Sequence, residues 1–92
     1  MITNSELKYI KKLERKKYRN LYSHFVVEGE KVFKDFFDSN IPIYKSYSTK
    51  EIKGQNSTIV TYNCMKRMTL LKSPSNVLGI FSTHIKKNPP ID

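Results

Sequence analysis

Apolar positions fall into short segments whose spacing changes from helical to extended and back along the chain. From about Ser5 to Leu21, the residues Leu7, Ile10, Leu13, Tyr18 and Leu21 lie within one arc of about 140°, which predicts an amphipathic helix. Ser5 or Asn4 is the expected N-cap, and Glu6 sits in the first turn, where the helix dipole favours acid. Lys8, Lys11, Lys12, Arg15, Lys16 and Arg19 occupy a second arc, centred roughly 160° from the first, so this helix carries a basic stripe. Glu14 and Lys17 fit neither side and point toward the apolar one.

The next segment, His24 to Val27, has consecutive Phe25, Val26 and Val27, the pattern of a strand buried on both faces. Glu28, Gly29 and Glu30 then open a second helix with Val32, Phe33, Phe36 and Phe37 on its apolar face, ending at Ser39 and Asn40. Ile41 to Ser48 reads as a strand whose Tyr44 and Tyr47 face opposite sides. A polar loop runs from Lys50 to Ser57 and a third strand from Thr58 to Tyr62. Asn63 is the expected cap of a short helix in which Met65, Met68 and Leu71 repeat every three residues, and a turn at 73–76 leads into a strand from Val77 to Thr83. Alternating strands and helices predict an α/β class: a small layered sandwich with a mixed or parallel sheet of about four strands and helices on both faces. Residues 1–85 form the domain, and 86–92, with Pro89 and Pro90, read as a linker.

Composition narrows the functional classes. A chain of 92 residues makes one domain with a modest core, and its 38% hydrophobic content is too high for intrinsic disorder. The longest apolar runs are too short for a membrane span or a secretory signal, so the chain is expected to be soluble and cytoplasmic. Cys64 is the sole cysteine, which excludes an internal disulfide and leaves no metal-binding pair. A net charge of +9 points to a polyanionic partner, either nucleic acid or an anionic membrane surface, and charge alone does not choose between them. From Lys8 to Arg19 seven residues are basic and only Glu14 is acidic, so this short segment holds +6 of that total.

The candidate residues for contact with that partner, and so for RNA binding if it is a nucleic acid, are Lys8, Lys11, Lys12, Arg15, Lys16, Lys17 and Arg19, against the plainer reading of a solvated helix face. Each phosphate neutralised by such a group releases counterions and adds salt-dependent affinity. Gly29 is a further candidate, since glycine admits close approach of a phosphate backbone to free N–H groups. Glu28 and Glu30 beside it would repel phosphate, which favours a structural role for the turn. The six tyrosines are possible stacking surfaces for unpaired bases. Phe33, Phe36 and Phe37 are either core or a docking face. His24 and His84 lie on different segments, and nothing in the spacing brings them together for acid–base chemistry.

Read together, KKYRN (16–20), HFVVEGEKV (24–32), IPIYKSYST (41–49) and VLGIFS (77–82) resemble the N-terminal substrate-binding domain of the SpoU/TrmH-family RNA ribose methyltransferases. Lys16, Lys17, Arg19, Phe25, Val27, Glu28 and Gly29 match its signature; Leu78 departs from it, standing where the commoner pattern has Gln. The resemblance implies a fold like that of kink-turn-binding ribosomal proteins. It implies RNA, and no membrane, as the partner, ribosomal RNA ahead of transfer RNA, and a role in presenting RNA to a catalytic domain. That domain would bind S-adenosylmethionine, transfer a methyl group to a ribose 2′-hydroxyl and work as a homodimer; 86–92 would be the linker to it. The chain itself is expected to have no catalytic residue, cofactor or metal. The alternative is a free-standing ribosome-associated RNA-binding protein.

Overall fold

The computed structural model describes residues 2–51 and 57–83. Its helices are α1 (Asn4–Lys12), α2 (Lys16–Tyr22), α3 (Glu30–Asp38) and α4 (Tyr62–Met68); its strands are β1 (His24–Glu28), β2 (Ile43–Ser48), β3 (Thr58–Ile59) and β4 (Val77–Ser82). The sheet order is β1-β4-β2-β3. Only β2 and β3 pair in parallel, while β4 is antiparallel to both β1 and β2. The β1–α3–β2 crossover does deliver two strands running the same way, as expected of a strand–helix–strand unit. The late strand β4 inserts between them, so the sheet is mixed and mostly antiparallel.

Because β4 is central, Val77, Leu78, Gly79, Ile80 and Phe81 are all buried, and alternate side chains serve opposite faces. Leu78 and Ile80 join Ile10, Leu13, Tyr47, Met65 and Met68 beneath α1 and α4. Val77 and Phe81 join Val27 and Phe33 beneath α3. Phe36 packs at the margin of that second cluster, whereas Val32 and Phe37 remain exposed. Gly79 faces α3, where a Cβ would stand 2.6 Å from Phe33 Cε1; its missing side chain is what lets the Phe33 ring lie on the sheet.

Several element ends depart from the sequence expectation. The cap of α1 is Thr3, whose hydroxyl accepts from the Glu6 N–H at 3.1 Å while Glu6 Oε1 accepts from the Thr3 N–H at 2.9 Å, a reciprocal capping box. The expected third strand stops at Ile59, because Thr61 rather than Asn63 caps α4 through the Cys64 N–H. That helix ends at Met68, so Met65 and Met68 are buried but Leu71 is left exposed. The chain beyond α4 is held by Glu28 at the end of β1, whose carboxylate accepts from the Thr69 hydroxyl and, at 2.9 Å, from the Leu70 N–H.

The largest difference is in the basic segment. The single helix expected from Ser5 to Leu21 is broken at 13–15, where Leu13 is buried and Glu14 and Arg15 close short turns onto Lys11 and Lys12. A continuous helix would have turned Glu14 and Lys17 toward the core. The break leaves both exposed, at the cost of exposing Leu21 as well.

Candidate nucleic-acid interface

The break divides the basic stripe between two helices that meet at a corner. Lys8, Lys12, Arg15, Lys16 and Lys17 are all exposed there. Among the described residues the ion pairs are Lys34–Asp38, Lys45–Glu6 and Lys50–Glu30, so none of these five cations has a carboxylate partner. Uncompensated positive charge packed this closely is self-repelling, and an external polyanion relieves it.

Three predicted site residues are engaged within the fold. Lys11 Nζ donates to the Thr69 carbonyl at 2.8 Å, tying α1 to the end of α4. Arg19 donates to the Leu13 and Glu14 carbonyls at 3.0 and 2.8 Å, satisfying acceptors that the helix break frees. Gly29 has φ +107°, a conformation other residues avoid, and its N–H donates to the Val77 carbonyl at 3.1 Å. That N–H is thus engaged in the turn from β1 into α3. Lys53, His84 and the segment 86–92 lie outside the described residues.

Beside the cations runs a row of rings that local spacing does not foretell. Lys12, Arg15 and Lys17 stand 5.6, 6.0 and 5.5 Å from the centre of the Tyr18 ring. Tyr18 stacks near Tyr22, Tyr22 meets Tyr9 edge-on at 5.2 Å, and Tyr9 meets His24 edge-on. The Tyr9 hydroxyl is hydrogen-bonded to His24 Nδ1, and His24 stacks on Tyr44 at 4.5 Å. Burial lowers the His24 pKa below its ordinary 6.5, favouring the neutral imidazole.

Tyr44 reaches this row through a β-bulge. The register pairs Ile43 with Phe81 and Lys45 with Ile80, leaving Tyr44 as the extra residue. Ile43 therefore joins the α3 side, while Tyr44 comes round to the α1 side with Tyr47, correcting the expectation that the two tyrosines face apart. Tyr44 is 60% exposed and Tyr47 is 1% exposed. Together with Ser5, Glu6, Tyr9 and Lys45 they line an open cavity of about 200 Å³.

Glu6 fixes one wall of that cavity. Its carboxylate accepts from Lys45 at 2.6 Å, Tyr47 at 2.9 Å and the Thr3 N–H. These donors, Lys45 first, hold its pKa down to about 2. Burial and the neighbouring carboxylate raise that of Tyr47. Among the described residues no cluster of metal-ligating side chains occurs, and no helix is long and apolar enough to cross a membrane. Cys64 packs its sulfur 3.9 Å from that of Met68.

A family model described as the MRM3-like substrate binding domain matches residues 4–79. No curated protein matches the chain in sequence. Several solved structures share the fold. A protein assigned to the TrmH family of RNA methyltransferases from Porphyromonas gingivalis superposes with TM-score 0.78 and 18% identity, over 99% of this chain and 39% of that one. An RNA 2′-O ribose methyltransferase gives 0.75 and 12%, over 98% and 39%. An rRNA methyltransferase from Sinorhizobium meliloti gives 0.72 and 24%, over 94% and 36%, and an AdoMet-bound rRNA methyltransferase from the same organism gives 0.70 and 23%, over 94% and 36%. The chain spans about two fifths of the length of these proteins.

Proposed function

The chain belongs to the family of MRM3-like substrate-binding domains, and on that basis we propose that it grips ribosomal RNA for a ribose 2′-O-methyltransferase through the α1–α2 corner. The observation that carries this reading is the group of five exposed cations without acidic partners among the described residues, Lys8, Lys12, Arg15, Lys16 and Lys17. Lysines supply point charge to phosphates, and Arg15 adds a planar fork able to take a phosphate in two hydrogen bonds. Contacts of this kind position RNA without reading its sequence, as suits a domain that presents a substrate.

The methyl donor of the longer enzyme is proposed to be S-adenosylmethionine, with dimerisation through the part that this chain does not span and a cytoplasmic setting. The cavity at Tyr44, at about 200 Å³, is smaller than the roughly 300–1,000 Å³ of pockets that enclose comparable ligands. The residues here do not fit the donor, and no chemical step is assigned to them.

The test is a titration of the chain with a folded ribosomal RNA hairpin across a salt series, with transfer RNA as competitor. Three or four neutralised phosphates predict a slope of roughly −3 on logarithmic axes. Absence of binding at low salt overturns the proposal. Equal competition by transfer RNA removes the preference for ribosomal RNA.

A further inference from the structure

The row of rings ends in a side chain whose placement the core does not require. Of the two tyrosines on β2, Tyr47 packs into the core, whereas Tyr44 is the bulged residue and is 60% exposed. One face of the Tyr44 ring is covered by His24 at 4.5 Å and 27°, a parallel stack. His24 is in turn held by the Tyr9 hydroxyl and by the edge of the Tyr9 ring. The ring is thus backed by two others, and little freedom remains to be lost when a flat ligand covers it.

Charge sorts what can sit at each end of the row. At the Tyr18 end three cations lie over or beside the ring, a setting for phosphates. At the Tyr44 end the charged groups lining the cavity are Glu6 and Lys45, joined to each other at 2.6 Å. An anion gains nothing from a lysine already neutralised and meets the Glu6 carboxylate; an uncharged planar group can cover the Tyr44 ring without that repulsion. The two ends therefore suit the two parts of a nucleotide chain, backbone at the corner and base at the bulge.

We propose that Tyr44, backed by His24, is a stacking platform for one unpaired nucleobase of the bound RNA, while the α1–α2 cations hold the adjoining backbone. The inference rests on the RNA-binding reading above and adds to it a requirement for unpaired structure. Bases inside a duplex are already stacked and cannot reach the ring, whereas bases in loops and bulges can be splayed onto it. Stacking of this kind tolerates any base, so the platform selects for single-stranded character and not for sequence.

The experiment compares the unmodified chain with Tyr44→Ala and Tyr44→Phe on two RNAs of equal length, a hairpin with an unpaired loop and a fully paired duplex, each at two salt concentrations. Tyr44→Ala should lose about tenfold in affinity for the hairpin and nothing for the duplex, with the salt slope unchanged. Tyr44→Phe, which keeps the ring, should bind both like the unmodified chain. Unchanged hairpin binding by Tyr44→Ala, or an equal loss on hairpin and duplex, overturns the platform while leaving the cationic grip in place. Failure of the unmodified chain to bind either RNA overturns the grip itself and the platform with it.

Discussion

Replacing Glu6 by Gln removes one charge from a side chain that ties three parts of the fold together: the cap at Thr3, Lys45 beside the bulge, and buried Tyr47. Gln retains the shape, but one of the two accepting oxygens becomes an NH2 donor, so the change removes the charge together with the hydrogen bonding at that oxygen. The carboxyl sits at about 2 in the folded chain against an ordinary 4.5, which would amount to roughly 3 kcal/mol if all of it became stability. The pair is partly open to water, with Glu6 23% and Lys45 44% exposed, and screening brings the expectation to about 1–2 kcal/mol. Since the folded value lies below the unfolded one, this stability is fully present above about 4.5 and is lost as pH falls through about 2. Urea denaturation of both proteins between pH 7 and pH 2.5 reads it directly. At pH 7 the variant should be weaker by that amount, equivalent to a melting shift of roughly 4–8 °C per kcal/mol, and the two curves should converge in acid. Equal stabilities at pH 7, or a gap that persists unchanged into acid, would refute the assignment to charge.

Gly79→Ala should cost about 1–3 kcal/mol, because its Cβ would lie within 3 Å of the Phe33 and Phe81 rings and buried Phe33 has nowhere to retreat; a lower urea midpoint at unchanged slope is the expected sign. Arg19→Ala should lower stability by about 1–2 kcal/mol through loss of two charged hydrogen bonds to the α1–α2 turn, whereas Arg15→Ala should leave it within about 0.5 kcal/mol. The same denaturation measurement on both separates the structural arginine from the exposed one.

How much of this can be read from the residues depends on whether the determinant is local. Phe25–Val26–Val27 marks a strand buried on both sides, and Phe33 with Phe36 marks the inner side of α3, because each rests on spacing within a few residues. Four strands, flanking helices and a basic segment follow from the same kind of pattern. The Thr3 capping box is also local, written as Thr-x-x-Glu, but Ser5 and Asn4 stand closer to the apolar repeat and compete with it as caps. The helix break has no Gly or Pro to announce it; its one signal is that Glu14 and Lys17 do not fit a continuous helix. The bulge at Tyr44 is set by register against β4, more than thirty residues away, and period-2 reasoning on β2 alone puts that ring on the wrong face. For the same reason charge counting finds the cations but cannot tell Arg19 and Lys11, spent on carbonyls of the fold, from Lys12 and Lys16, which are not.

Whether the α1–α2 corner meets RNA phosphates is decided by the salt dependence of RNA-hairpin binding for Lys12→Gln/Lys16→Gln, set against Lys31→Gln/Lys34→Gln on α3, which covers the opposite face of the sheet. Both pairs remove the same net charge. The first pair should weaken binding and flatten the slope by about 1–2, one phosphate fewer being neutralised for each lysine replaced, while the second should leave the slope unchanged. Equal flattening by both pairs would mean that only overall charge matters, and flattening by the α3 pair alone would place the RNA on the other side of the sheet.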